Sequence, residues 1–222
     1  MLQPATIKFL KELKKNNHRE WFEANRKQYE FAKDDFAVLV QNVIDIFSKK
    51  DTGIASLKAK DCVFRINRDV RFSKDKSPYK TNMGASFSKG GKKSPLAGYY
   101  FHCEPGNSFV GGGLWMPEPD MLAKLRQEID YNFDEFKKIT GNKKFVSIYK
   151  SLDKSKENSL VRPPKGYEAD NRAIEYIKLK SFIAMTPITD AELINKNLII
   201  KLTEAMETLQ PVISFINRSL ED

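Results

Sequence analysis

Three arginines fall within seven residues in the segment Arg65-Ile66-Asn67-Arg68-Asp69-Val70-Arg71. Planar guanidinium groups present forked donors that meet the oxygens of phosphate or carboxylate two at a time. Held on a rigid scaffold, such a cluster would bind an anion, with Asp69 orienting one of the arginines. The stretch that follows, Ser73 to Thr81, adds Lys74, Lys76 and Lys80, several hydroxyls, and a Ser77-Pro78 turn whose backbone donors suit an anion nest. Here Lys76 would supply charge and Tyr79 could donate a proton, so Tyr79 and Asp69 are the catalytic candidates if the site is reactive. The competing reading is an Arg-Asp network that fixes a loop against the sheet, because structural ion pairs look the same in sequence.

Read as a strand, Phe64 to Phe72 places Phe64, Ile66, Val70 and Phe72 on one face and Arg65, Asn67, Asp69 and Arg71 on the other. Arg68 falls on the apolar face, where an unpaired guanidinium is costly. It therefore calls for Asp69 or another carboxylate as partner, or for a bulge near Asn67. The alternation makes Arg65 and Arg71 the ligand-facing pair and Arg68 the structural one. A second wall is available upstream, where Asn25 and Tyr29, following Trp21 at four-residue spacing, share a helical face. If that face covers the arginines, Trp21, Asn25 and Tyr29 line the ligand site; otherwise Trp21 and Tyr29 are core and Asn25 caps a backbone group.

Charge sharpens the focus on this region. Between Lys58 and Lys93 eleven Lys or Arg stand against three Asp, a local excess of +8 in a chain whose total is +9. Such an excess attracts phosphates, carboxylates and polyanions. Other chemistry is thinly represented. The two histidines, His18 and His102, match no triad order, metalloprotease motif or clustered carboxylate set, so no metal and no cofactor is expected. His102 reads most simply as a satisfied imidazole in a strand. Cys62 and Cys103 are too few for a disulfide framework or a zinc site and read as reduced core thiols. Gly111-Gly112-Gly113 lacks dinucleotide-binding spacing and reads as a bulge or a tight packing contact.

The elements that must position these residues follow from periodicity. An amphipathic helix opens the chain, with Ile7, Phe9, Leu10 and Leu13 among lysines. A long helix is expected from an Asn17 N-cap, with Glu20 completing a capping box, to about Ser48. Short strand-like runs follow at 62–67, 82–88, 98–104 and 108–114, broken by Ser77-Pro78, Gly90-Gly91 and Pro105-Gly106-Asn107. Residues 117–139 are helical again, 140–170 irregular, 180–185 one more strand, and a last helix opens at Thr189 or Asp190 with Pro211 as a kink. The expected fold is a single α+β domain over residues 1–222. It is an antiparallel meander of about five strands, from residues 61–115 plus one near 180–185, against N-terminal, central and C-terminal helices. With 41% hydrophobic and 30% charged residues, no apolar run near a bilayer span and no secretion signal, the chain reads as soluble and cytoplasmic, with no membrane partner.

Arg65-x-x-Arg68-Asp69-x-Arg71-Phe72-x-x-Asp75-Lys76-x-x-Tyr79 resembles the motif of the domain of unknown function 2461 family, uncharacterised and mainly bacterial proteins. The resemblance runs over nearly the whole chain: Asn17, Arg19, Glu20, Trp21, Phe22, Asn25 and Tyr29 at the start, and Gly113, Trp115, Pro117, Leu122 and Arg126 in the middle. Pro164 to Tyr167 and Lys178 to Phe182 are also similar. Asp170-Asn171-Arg172 stands where the family pattern has Asp-His-Pro, so a histidine at that place does no chemistry here. The resemblance implies a bacterial protein and no particular activity. Three functions remain: an anion-binding protein or enzyme for a phosphate- or carboxylate-containing ligand, a nucleic-acid-binding protein with aromatics beside basic residues, or a structural or protein-interaction module. Composition carries no sign of oligomeric state.

Overall fold

The structure, a computed structural model, describes residues 1–221. In chain order the helices α1 (Pro4–Lys15), α2 (Arg19–Ala24), α3 (Arg26–Phe47) and α4 (Ala59–Cys62) lead into strands β1 (Met83–Phe87), β2 (Gly98–Cys103) and β3 (Ser108–Leu114). Helices α5 (Pro119–Tyr131), α6 (Phe133–Thr140), α7 (Lys143–Tyr149) and α8 (Ile174–Ile177) precede strand β4 (Phe182–Ile188), and α9 (Asp190–Leu193) and α10 (Leu198–Glu221) close the chain. The strands form one antiparallel sheet in the order β1-β2-β3-β4, so the fold is α+β.

The sheet has four strands and not about five, because residues 62–67 do not make a ladder. Cys62 ends α4, and beyond it only Val63 and Asn67 form single bridges, to Ala85 and Tyr79. Arg68 N–H donates to the Pro78 carbonyl at 2.9 Å, but Pro78 has no N–H to return, and pairing stops there. The expected helix from Asn17 to Ser48 is likewise two helices. Asn25, at φ −109 and ψ 20, ends α2 and starts α3, and its side-chain amide donates to the Trp21 carbonyl at 2.8 Å, satisfying the end of the first helix. The N-cap is His18, whose Nδ1 accepts from Trp21 N–H. Asn132 also ends one helix and starts the next, its side-chain amide donating to the Glu128 carboxylate at 3.0 Å, and Thr189 with Glu192 makes the capping box that opens α9.

The chain divides into two compact units, Met1–Lys93, Tyr100–Val110 and Pro187–Glu204 in the first, and Ser94–Tyr99, Gly111–Thr186 and Ala205–Asp222 in the second. In the first unit Phe101 of β2 stacks on Phe36 of α3 with ring centres 5.7 Å apart, and both are fully buried. The N-terminus is tied down by Leu2 N–H on the Leu193 carbonyl and by a Lys11–Asp190 ion pair. In the second unit Phe136 packs between Tyr176 and Phe215, and the Tyr149 hydroxyl donates to the Ala205 carbonyl at 2.7 Å. The glycine run is a packing device. At Gly113, φ is +122 and a Cβ would lie 1.9 Å from the Phe182 carbonyl oxygen, so only glycine lets β3 approach β4 there.

Candidate functional site

Tyr79 is the point on which the candidate site is assembled. In the antiparallel bridge to Asn67 its own N–H and carbonyl face away from the 64–68 segment. Asn17 supplies both missing partners: its Nδ2 donates to the Tyr79 carbonyl at 2.9 Å and its Oδ1 accepts from Tyr79 N–H at 3.1 Å. The residue expected to cap a helix thus stands in for a neighbouring strand. The Tyr79 ring stacks on Phe22 of α2 with centres 3.8 Å apart and is 6% exposed.

Beyond this anchor the chain from Arg68 to Ser77 is a loop organised by its own charges. Arg68 is ion-paired to Asp75 and donates to the Ser73 hydroxyl at 3.3 Å. Asp75 also accepts from the N–H and hydroxyl of Ser77 at 2.9 and 2.7 Å. Those two bonds, then Arg68, hold its carboxyl far below the usual range. Arg71 makes a two-point contact with Asp69, at 3.0 and 2.7 Å, which lowers the Asp69 carboxyl; both are exposed. Lys76 donates to the Val70 carbonyl at 3.0 Å. Strand alternation fails past Asn67, and Phe72, expected on an apolar face, is 95% exposed with the Arg71 guanidinium 5.8 Å from its ring centre.

Neither Arg65 nor Lys80 makes an ion pair with the described residues, although Arg65 lies close enough to Asp69 for its charge to lower that carboxyl. Arg65 is exposed and makes no hydrogen bond or ion pair with the described residues. Lys80 is half-buried, its ammonium 5.5 Å from the centre of the Phe64 ring, and it too has no carboxylate partner among the described residues. Burial first, and then the positive charge of Arg65, push the Lys80 pKa down.

Two clefts flank Tyr79. One, of about 410 Å³, is lined by Arg19, Phe22, Glu23, Arg26 and Tyr29 from the helices and by Asn67, Pro78 and Tyr79 opposite. Arg26 is held by Glu23 at 3.0 and 3.2 Å. The helical wall therefore faces Asn67 and Tyr79, while Arg65 and Arg71 lie outside this lining. Of the three upstream candidates Tyr29 reaches the cleft, packed on Phe22 with centres 4.9 Å apart. Trp21 packs on Phe9 at 6.0 Å and Asn25 serves its helix end. The other cleft, of about 360 Å³, is lined by Lys14, Asn17, Arg68, Asp75, Ser77, Tyr79, Lys80, Thr81 and Asn82. Its polar and basic walls suit a small anion.

Sequence reasoning left Lys80 outside its ligand set and passed over Lys14, Asn82 and Glu104. Glu104 accepts from Lys14 at 3.3 Å and from the Thr81 hydroxyl at 3.2 Å, so the second cleft is backed by a carboxylate that its own lining residues hold. The available signal was the spacing of Tyr100, His102 and Glu104, which period two places on one face of β2.

Among the described residues no group of three or more His, Cys, Asp or Glu could hold a metal ion, and no helix is long and apolar enough to cross a membrane. A family model described as Conserved hypothetical protein (DUF2461) matches residues 5–215. No curated protein and no solved structure matches the chain.

Proposed function

This chain belongs to the domain of unknown function 2461 family, and we propose that it binds a small ligand bearing a phosphate or carboxylate, on the Lys80 side of Tyr79. The observation that carries this reading is Lys80, a half-buried ammonium with no carboxylate partner among the described residues and with the charge of Arg65 nearby. A fold gains nothing from desolvating one cation next to another, whereas an anion beside Lys80 would relieve both the burial and the repulsion. Arg68, Asn17 and Tyr79 complete the recess, and the Asp69–Arg71 and Arg68–Asp75 pairs stiffen the loop that closes it. The anion would draw Lys80 back toward its protonated form, so affinity should fall as pH rises through the depressed Lys80 pKa.

The test is thermal unfolding with inorganic phosphate. At a concentration about a hundred times the dissociation constant, binding adds about 2.7 kcal/mol, which for a chain of this size is a rise of roughly 5–11 °C. Lys80→Gln should abolish the rise. General salting-out would stabilise parent and variant alike, so an equal rise in Lys80→Gln refutes the proposal.

A second reading is favoured by one observation, the exposed Phe72 ring beside Arg71 at the tip of a basic loop. That combination suits base stacking with phosphate contact. It requires affinity for single-stranded DNA or RNA that falls steeply with salt and is lost in Phe72→Ala.

A further inference from the structure

Tyr100, His102 and Glu104 leave β2 and its end on the same face, opposite the buried Tyr99, Phe101 and Cys103. Phe109 of β3 stacks on the His102 ring with centres 4.8 Å apart and planes within 10°, which sets the orientation of the imidazole. Nε2 of His102 faces the Glu104 carboxylate at 3.3 Å, and Nδ1 faces the Tyr100 hydroxyl at 3.3 Å and the Asn82 amide nitrogen at 3.4 Å. A carboxylate only accepts and an amide nitrogen only donates, so the ring carries its proton on Nε2 and a lone pair on Nδ1, aimed at the phenol. Burial acts to raise the Glu104 carboxyl, but hydrogen bonds from Asn107, His102 and Lys14 outweigh it and hold the group below its ordinary range, hence charged.

Carboxylate, imidazole and hydroxyl in this order are the arrangement that activates a hydroxyl for proton abstraction or attack. The phenol is also given room. The phenol fills the space over Gly84 of β1, where a Cβ would lie 2.4 Å from the Tyr100 oxygen and would push the ring aside. Phe64 meets the Tyr100 ring edge-on at 6.3 Å and carries the Lys80 ammonium on its own ring. Tyr100 and His102 are each only partly buried. Hydrogen bonds of 3.3 to 3.4 Å are long, as such contacts often are before a substrate tightens them.

We propose that Tyr100 is a catalytic residue, a proton-relaying base for a hydroxyl-bearing phosphate or carboxylate, with His102 and Glu104 as positioning residues that act through it. The proposal rests on the anion reading above, since Lys80 would hold the charged group. The substrate hydroxyl gives its proton to the Tyr100 oxygen as the phenol proton passes to His102 Nδ1. The O–H electron pair stays on the substrate oxygen, so nothing is oxidised or reduced. The imidazolium is balanced by Glu104 and the substrate oxyanion by Lys80.

The experiment uses para-fluorosulfonylbenzoate, whose carboxylate addresses the cations and whose sulfonyl fluoride reacts with an activated phenol. The Tyr100 oxygen bonds to sulfur, fluoride leaves with the S–F electron pair, and the phenol proton goes to His102. Peptide mass spectrometry is expected to find Tyr100 modified ahead of Tyr131, although Tyr131 is 76% exposed. The rate should fall about a hundredfold in His102→Gln. In Glu104→Gln the maximal rate should fall as well, also with uncharged benzenesulfonyl fluoride, which makes no use of the cations. Equal Tyr100 labelling in parent and His102→Gln overturns the relay. Should the variants not fold, nitrogen NMR of the parent decides, because a His102 ring protonated on Nδ1 instead of Nε2 overturns it as well. Uncharged benzenesulfonyl fluoride separates the two ideas. His102-dependent labelling that phosphate does not protect sustains the relay and removes the anion site. A phosphate-dependent rise in melting temperature with His102-independent labelling does the reverse.

Discussion

Replacing Asn17 with alanine tests whether one side chain, 62 residues away in sequence, holds the centre of the candidate site. The variant loses two hydrogen bonds to the Tyr79 backbone, of 2.9 and 3.1 Å, and leaves an N–H and a carbonyl on a residue that is 6% exposed. Each bond is worth about 1 kcal/mol net, so the expected loss is about 2 kcal/mol, and more if water cannot reach the freed groups. For a chain of this length that is a fall in melting temperature of roughly 4–8 °C. Asn17→Asp sharpens the test, because it keeps the acceptor for Tyr79 N–H but sets a carboxylate against the Tyr79 carbonyl, and should be at least as destabilising as alanine. Urea denaturation read by circular dichroism gives the number. A loss below about 0.5 kcal/mol, within the range of ordinary surface substitutions, would refute the clasp.

Other expectations concern titration and thiol chemistry. Glu192 accepts from Lys201 at 2.6 Å and from the N–H and hydroxyl of Thr189, both at 2.8 Å. These bonds, Lys201 first, bring its carboxyl down to about 2. A depressed carboxyl stabilises the fold above its unfolded pKa and loses that contribution as pH falls through the folded value. Glu192→Gln should therefore be less stable than the parent at neutral pH, by about 1 kcal/mol or less given its part exposure, and the difference should close between about pH 4.5 and 2. Cys62 and Cys103 are both fully buried, and burial pushes their thiols up to about 11 and about 12. Neither should react with an aromatic disulfide reagent at neutral pH until the protein is denatured, and rapid labelling of native protein would contradict their placement.

Much of the fold was legible from spacing. The apolar stripe of α3, the alternation of β2 and the helix start at Thr189 or Asp190 are local patterns with one physical meaning each. The breaks were harder to read. A helix that stops at Asn25 because a side chain satisfies its last carbonyls has the same apolar period as one that continues. The strand expected at 62–67 had the right residue types, but its bridges, Val63 to Ala85 and Asn67 to Tyr79, are two residues out of register with one another, so no ladder runs through it.

By itself the sequence determined that this chain builds helices around a short-stranded sheet and concentrates its positive charge between Lys58 and Lys93. The tertiary structure alone decided which charges remain free. Arg71 and Asp69 are near neighbours that pair within a turn, and Arg68 finds Asp75 across the loop, so two of the three arginines are satisfied internally. Lys80, one lysine among many in the sequence, is the group left desolvated beside Arg65. Periodicity records which face a residue occupies. The partner it meets there depends on distances closed by distant segments, as when Asn17 reaches Tyr79 and Lys14 reaches Glu104.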